Sequence, residues 1–150
     1  MTERFRDLEL RLAAARPGHE PELVEEAARI LANETTYRVQ MFRDAGAFAD
    51  AAMLVYRAAL PGSGFQFGLG PRLDVRAHRA TALTWQRGDA CAMPYRAATP
   101  ALALLRAAVS ETTRLRESSA LAACPTCHGL GWYFTAENRK QMCRHGRGVV

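Results

Sequence analysis

The apolar residues of this chain change their spacing at 61-PGSG-64, and this change restricts the possible folds more than any other feature. Before this turn, apolar residues recur three and four positions apart, which is typical of helices. After it, 65-FQFGL-69 alternates, and 80-ATALTWQ-86 and 91-CAMPYRA-97 are two further short runs that are typical of strands. The sequence therefore predicts a helical first part followed by a three-stranded sheet.

The first part, residues 1–44, is predicted to be an N-terminal helical segment. Thr2 can cap a first helix, which Pro17-Gly18 ends. A second helix begins at Glu20-Pro21, where proline takes the first helical position and acidic residues lie in the first turn. The β-branched residues of Thr35-Thr36-Tyr37 lower helix propensity, so the sequence leaves open whether the helix resumes beyond them, as far as Asp44. The apolar positions that predict the buried sides of these helices are Phe5, Leu8, Leu12, Ala15, Leu23, Ala27, Ile30 and Leu31.

Residues 45–118 are predicted to form an α-β-β-β-α core. Its first helix extends from Ala47 to Leu60. Pro94 lacks an amide hydrogen and therefore places the third strand at a sheet edge. Thr99-Pro100 supplies the cap and first residue of a last helix, 101-ALALLRAAVSETTRLRES-118, whose pattern is amphipathic. Both helices can cover one face of the small sheet, so the predicted fold class is α+β.

The net charge of +5 is unevenly distributed along the chain. Residues 1–50 hold 7 Arg and 10 acidic residues, residues 51–110 hold 7 Arg and 2 acidic residues, and residues 111–150 hold 6 basic and 3 acidic residues. A basic body behind an acidic first third favours an anionic partner, either nucleic acid or an acidic protein surface. Because 19 of the 20 basic residues are arginine, the codon usage of a GC-rich genome explains the charge equally well.

No segment predicts membrane insertion or export. No apolar run approaches the roughly 20 residues that cross a bilayer. The first residues, MTERFRDLEL, are charged from the third position onward and contain no apolar signal core. We therefore expect a cytoplasmic protein, in which the 4 cysteines are reduced or metal-bound.

The α-β-β-β-α order is also that of double-stranded-RNA-binding domains, which recognise A-form RNA by its shape and phosphates and use lysines at the start of the last helix. In this chain that helix begins 99-TPALA-103 and has no positive charge before Arg106. The order of elements matches but the chemistry does not, so binding of double-stranded RNA is not expected.

Two stretches of the core resemble small uncharacterised proteins of tailed bacteriophages and prophages. They are 50-DAAMLVYRAALPGSGFQFGLG-70 and 98-ATPALALLRAAV-109, and the resemblance covers about residues 46–110. Those proteins have a tryptophan after the Pro-Gly turn, where this chain has Phe65 and Phe67. The resemblance implies a phage or prophage origin, in which case the cytoplasm is that of a bacterial host. It implies no activity.

The last part of the chain, residues 119–150, contains the one stretch with metal-ligand spacing, 124-CPTCHGLG-131. Two thiolates three positions apart can bind one tetrahedral zinc ion, and the following glycine lets the loop turn back. A redox-active pair would instead open a helix, whereas His-Gly-Leu-Gly-Trp follows here. Thiol redox chemistry at Cys124 and Cys127 is therefore a weaker alternative, and two thiols without metal are another.

The same stretch resembles the C-x-x-C-x-G-x-G repeat of DnaJ-type cysteine-rich domains and of phage antitermination proteins of the Q type. In those families a second repeat closes the zinc site. Here 143-CRHGRG-148 keeps one cysteine and the glycines, and Gln141 and Arg144 stand where the other cysteines would be. Histidine can replace the missing thiolate, with Cys91 expected to be a buried core residue instead. The predicted ligands are Cys124, Cys127, Cys143 and His145, with His128 as the alternative fourth ligand.

The predicted zinc site is structural, and no enzyme is expected. Four protein ligands leave no open coordination position, and no carboxylate is placed as a general base. Between the half-sites, 132-WYFTAENRKQM-142 is predicted to form a hairpin. Aromatic and basic residues of this region suit base stacking and phosphate contact. The predicted binding surface consists of Tyr133, Arg139, Lys140, Arg144 and Arg147.

From these features we predict a non-catalytic, phage-type regulatory protein that contacts nucleic acid, the transcription machinery or both. The alternative is a phage-encoded inhibitor or adaptor that binds a host protein complex, for example a defence nuclease. Arginine and aromatic residues serve both kinds of interface, so the sequence does not distinguish them. Neither function involves a small-molecule substrate or a membrane.

Overall fold

The computed structural model describes residues 3–32, 36–68, 80–85, 93–122, 124, 132–134 and 139–142. The helices and strands in them are, in chain order, α1 (Glu3–Ala14), α2 (Glu20–Leu31), α3 (Thr36–Asp44), α4 (Phe48–Ala59), β1 (Gly64–Gly68), β2 (Ala80–Trp85), β3 (Met93–Ala97), α5 (Pro100–Ala122), β4 (Trp132–Phe134) and β5 (Lys140–Met142). Strands β1, β2 and β3 form a three-stranded antiparallel sheet, and β4 pairs with β5 in a separate sheet. Helices combined with an antiparallel sheet confirm the predicted α+β class.

Helix α2 begins where its sequence predicts, and both α1 and α2 bury apolar positions that the sequence predicts. The residues that α1 buries are Phe5, Leu8 and Leu12. After α1 the chain turns at Gly18, whose φ of 101° lies in the left-handed region that glycine adopts without strain. The Glu20 carboxylate at the start of α2 accepts a hydrogen bond from Gly18 N at 2.5 Å, which explains why this acidic side chain is buried. Thr2, the predicted cap of α1, lies outside the described residues.

The segment that the sequence leaves open is helical from Thr36 to Asp44. Helix α3 packs against α2 and α4, and Val39 is fully buried at this contact. Packing therefore overrides the weak helix propensity of the segment. The opposite side of α3 carries Tyr37 and Met41, which are 73% and 57% exposed.

The three-stranded sheet has β2 in its centre, antiparallel to both neighbours. Gly62, with a φ of 83°, turns the chain from α4 into β1. Pro94 lies opposite Leu83 in the register, on the edge strand β3, as predicted. Residues of β2 alternate between buried positions that face the helices and more exposed positions on the other side.

Helix α5 is the centre of the fold, and the amphipathic pattern predicted for it is wrong for its first ten residues. Ala101 to Leu105 and Ala107 to Val109 are all buried, because α1, α2, α4 and the sheet surround this part. Thr99 Oγ1 accepts a hydrogen bond from Leu102 N at 3.4 Å, which confirms the predicted cap. The helix continues to Ala122, four residues beyond its predicted end. No helix in the described part of the chain has both the length and the hydropathy to cross a membrane.

Helices α4 and α5, both predicted to cover one face of the sheet, contact it to different extents. Helix α5 packs against β2 and β3, whereas α4 packs mainly against α5. Helix α4 reaches the sheet through Tyr56, whose ring meets Phe65 edge-on at a centroid distance of 5.2 Å. The Tyr56 hydroxyl donates a hydrogen bond to Gly64 O at 3.2 Å, so α4 is fixed to the first residue of β1.

Candidate functional site

The C-terminal hairpin is the described part of the chain that adjoins the predicted zinc ligands. Its strands β4 and β5 are antiparallel, and Trp132 lies opposite Met142. In such a pair the start of one strand and the end of the other lie side by side, with about 5 Å between Cα atoms. Cys127 precedes Trp132 by five residues, and Cys143 follows Met142 directly. The two cysteine half-sites are therefore joined to the same end of the hairpin.

Some of the predicted site residues lie in the described parts of the chain and the others lie outside them. Cys124 is half-buried two residues beyond α5, and Arg139 is exposed at the start of β5. The backbone register pairs Tyr133 with Gln141, whose side chain is exposed, and places Lys140 in the next pair along the hairpin. The predicted residues that lie outside the described parts of the chain are Cys91, Cys127, His128, Cys143, Arg144, His145 and Arg147. Among the residues that are described, no group of three or more His, Cys, Asp or Glu is placed to hold a metal ion.

The hairpin is separate from the helical body in the described structure. Strands β4 and β5 contact each other, and they make no comparable contact with the described helices or with the three-stranded sheet. Each strand has only 3 residues. A two-stranded hairpin with no other contacts is at best marginally stable in water. In small units of this kind a bound metal ion commonly supplies additional stability.

A buried carboxylate, that of Glu111, lies between α5 and the sheet. Its Oε1 accepts a hydrogen bond from the Tyr95 hydroxyl at 2.6 Å, and its Oε2 accepts from Nε and Nη2 of Arg114 at 2.9 and 2.8 Å. Glu111 is 3% exposed. Burial, together with the hydrogen bond to Glu111, raises the pKa of Tyr95 well above its usual range. Both carboxylate oxygens are engaged within the protein, so the cluster connects β3 to α5.

The acidic residues of the first third of the chain are partly paired by arginines. Glu25 forms ion pairs with Arg29 at 3.1 Å and with Arg43 at 2.5 Å, and Glu26 pairs with Arg11. The pair between Glu25 and Arg43 connects α2 to α3 across the surface. The described N-terminal helices therefore present both signs of charge, and exposed pairs of this kind contribute little to stability.

One residue with a potential binding role, Trp85, is missing from the predicted site. It lies on the face of the three-stranded sheet that points away from α5, and it is 39% exposed. The signal was present in 80-ATALTWQ-86, where the small residues Ala80 and Ala82 alternate with the larger Leu83 and Trp85. Small residues on the inner side let a helix approach closely, and the largest side chain is left on the outer side.

Comparison with known proteins gives no family: no family model matches the chain, and no curated protein or solved structure shows significant similarity to it. The resemblance of residues 46–110 to phage proteins and that of residues 124–150 to zinc knuckles therefore stay predictions from the sequence.

Proposed function

We propose that this protein is a non-catalytic, phage-type regulatory protein whose C-terminal hairpin is held by a structural zinc ion and contacts nucleic acid. The observation that carries the proposal is the pairing of β4 with β5, which joins both cysteine half-sites to one end of the hairpin. A metal ion bound there would close a loop that has little other support among the described residues.

The residues proposed to hold zinc are Cys124, Cys127, Cys143 and His145, with His128 as the alternative fourth ligand. Three thiolates and one imidazole are a usual donor set for structural zinc. The ion would supply folding free energy to the hairpin and no chemical step. Cys124, two residues beyond α5 and half-buried, is consistent with this proposal.

The proposed contact with nucleic acid is made by the basic and aromatic residues of the hairpin. Arg139 is exposed, and Lys140 follows it as the first residue of β5. Tyr133, in the facing strand, supplies an aromatic ring for stacking on a base. Arg144 and Arg147, in the last residues of the chain, add positive charge. Each phosphate contact would make binding weaker as the salt concentration rises.

A second candidate function, an inhibitor or adaptor that binds a host protein complex, is favoured by one observation on α3. Tyr37 and Met41 lie one helical turn apart and are 73% and 57% exposed. Aromatic and methionine side chains are enriched at protein interfaces. An interface anchored by them would depend much less on salt than phosphate contacts do.

The zinc part of the proposal is tested by metal analysis of the purified full chain. We expect one zinc ion per chain, and we expect Cys127→Ser to lose it. Cys91→Ser is the matched control, because Cys91 is not among the proposed ligands, and it should keep the metal. A metal-free protein with a well-ordered hairpin would refute the zinc site.

The partner is tested by affinity capture from a bacterial lysate, with and without nuclease treatment. We expect the captured material to disappear after nuclease treatment, and to be reduced by the double substitution of Arg139 and Lys140 by glutamine. Arg4 and Arg57, both exposed on the helical body, give a matched control pair with the same change in charge. Recovery of one host protein in stoichiometric amount after nuclease treatment would refute nucleic-acid binding and support the second candidate function.

A further inference from the structure

The three-stranded sheet has one face packed on α5 and one face that no described helix or strand covers. In β2 the buried residues Ala80, Ala82 and Thr84 point toward α5. Leu83 and Trp85 lie on the opposite side of β2, where Leu83 is half-buried and Trp85 is 39% exposed. We call the outer side of the sheet, with Gly64, Gln66, Thr81, Leu83, Trp85, Pro94 and Arg96, the open face.

Trp85 rests on a glycine, and this arrangement orients its ring. Gly64 is its partner in the register. A Cβ atom at Gly64 would lie within 2.6 Å of three adjacent indole atoms, Nε1, Cε2 and Cζ2. Nearly equal approach to three neighbouring ring atoms means that the face of the ring lies over the glycine. One face of the indole is therefore supported by backbone, and the exposed part of the ring is available to a planar ligand.

The charge of the open face complements a phosphate chain. Arg96 is exposed on β3, opposite Thr81, and Gln66 is exposed on β1, opposite Leu83. None of the described positions of this face is acidic. Thr81 and Trp85 are four residues apart on β2, which separates Arg96 from the indole by about 13 Å along the strand direction. A short extended oligonucleotide can reach both.

The position of Arg96 is fixed by its neighbour on α5. Its carbonyl oxygen accepts a hydrogen bond from Nη1 of Arg106 at 2.9 Å, which ties β3 to the helix while the Arg96 side chain stays exposed. A rigid platform that combines an aromatic ring with positive charge is a common arrangement for binding single-stranded nucleic acid.

We propose that the open face binds single-stranded nucleic acid, with one base stacked on Trp85 and a backbone phosphate paired with Arg96. The inference deepens the proposed nucleic-acid binding and rests on it, and it adds a contact surface independent of the hairpin. Single strands are specified because bases within a duplex are stacked on each other and do not offer a face to a protein side chain.

The test uses the full chain carrying Trp132→Phe, so that Trp85 is its only tryptophan. This protein is titrated with single-stranded oligo(dT) of about 12 nucleotides, a length within the usual site size of such proteins. We expect the indole fluorescence of Trp85 to be quenched on binding. In the otherwise unchanged chain, Trp85→Leu keeps apolar bulk over Gly64 but removes the stacking surface, and it should weaken binding about 5- to 150-fold.

Arg96→Gln tests the phosphate contact separately. The affinity falls as salt rises, and the loss of one phosphate contact should make this fall less steep. In a plot of the logarithm of affinity against the logarithm of salt concentration, the slope should become less negative by about 0.7, the value expected for one phosphate on a single strand. Tyr37→Leu and Arg38→Gln, at exposed positions on α3, are matched controls that remove the same groups elsewhere, and both should bind as the unchanged chain does.

The outcomes distinguish this inference from the proposed function. If the unchanged chain binds the oligonucleotide but Trp85 is not quenched and Trp85→Leu has no effect, the open face is not the site and the hairpin surface remains. If the unchanged chain binds no single strand at all, the open-face proposal fails, and the capture experiment with and without nuclease still decides the proposed function. Quenching in the Trp132→Phe protein needs no substitution at Trp85, so the test holds even where Trp85→Leu does not fold.

Discussion

Replacing Tyr95 by phenylalanine removes a single oxygen atom from the hydrogen-bonded cluster around the buried carboxylate of Glu111. The Tyr95 hydroxyl donates a hydrogen bond of 2.6 Å to Oε1 of Glu111, which is 3% exposed. A hydrogen bond to a charged group contributes about 1.5–3 kcal/mol to stability. Arg114 still donates to the other carboxylate oxygen in the variant, so the buried charge keeps one partner. We therefore expect Tyr95→Phe to lower the free energy of unfolding at pH 7 by about 1.5–3 kcal/mol, a large part of the usual 5–15 kcal/mol.

The same substitution should change how stability depends on alkaline pH. The pKa of Tyr95 is raised by burial and by Glu111, so the folded state keeps the phenolic proton at a pH where the unfolded state has lost it. The contribution of this tyrosine is therefore fully present below its unfolded pKa of about 10 and decreases as pH rises above it, by at most about 1.4 kcal/mol per pH unit. Tyr56, whose pKa is also raised by burial, is unchanged in the variant and cancels from the comparison.

Urea denaturation of both proteins at pH 7, 9 and 11 measures these effects. The stability difference between them should be largest at pH 7 and 9, and smaller by up to about 1.4 kcal/mol at pH 11. Tyr37→Phe is the matched control, because Tyr37 is 73% exposed, and it should change stability by less than about 0.5 kcal/mol. A Tyr95→Phe protein as stable as the unchanged chain at pH 7, or a difference that stays constant up to pH 11, would refute the argument.

Three further substitutions, and a fourth as control, test the packing. Gly64→Ala should displace the indole of Trp85, costing about 1–3 kcal/mol of stability and shifting the tryptophan emission to the red, because the added methyl group would overlap the ring. An unchanged emission spectrum would contradict the stacked arrangement. Thr99→Ala should lower the melting temperature through the loss of about 0.5–1 kcal/mol from the cap of α5, near the low end of the range because the bond is long. Leu104→Ala, at a fully buried site, should lower the free energy of unfolding by about 2–5 kcal/mol. Its control, Leu10→Ala at a position 63% exposed, should lower it by less than about 0.5 kcal/mol. Equal effects of the two substitutions in denaturation would refute the central position of α5.

Local chemistry explains which parts of the fold could be predicted from the sequence. The start of α2 at Glu20-Pro21 depends on proline geometry, and that of α5 at Thr99-Pro100 depends on proline geometry and on the Thr99 cap. Both act within a few residues. The edge position of β3 follows from one missing amide hydrogen at Pro94. In each case the relevant atoms are close together in the chain.

What could not be predicted depends on contacts between distant segments. The extent of α3 is determined by the burial of Val39 against α2 and α4, although its β-branched neighbours disfavour a helix. The central position of α5 was visible only indirectly: between Ala101 and Val109 the only polar residue is Arg106, which is too few for a helix with a solvent-exposed face. The register of the hairpin likewise depends on which residues meet across it, so the sequence could suggest β4 and β5 but could not align Trp132 with Met142.

Both proposed binding surfaces lie outside the hydrophobic core, and this explains why core patterning says little about the function. The core is built around α5, whereas Trp85 depends on the absence of a side chain at Gly64 and the hairpin depends on cysteine spacing. Each surface alone offers few contacts, so each would bind a nucleic acid weakly. Carried on one chain, they can engage one strand together, and the second contact then forms at a high effective concentration. Affinity would come from the combination of the two surfaces.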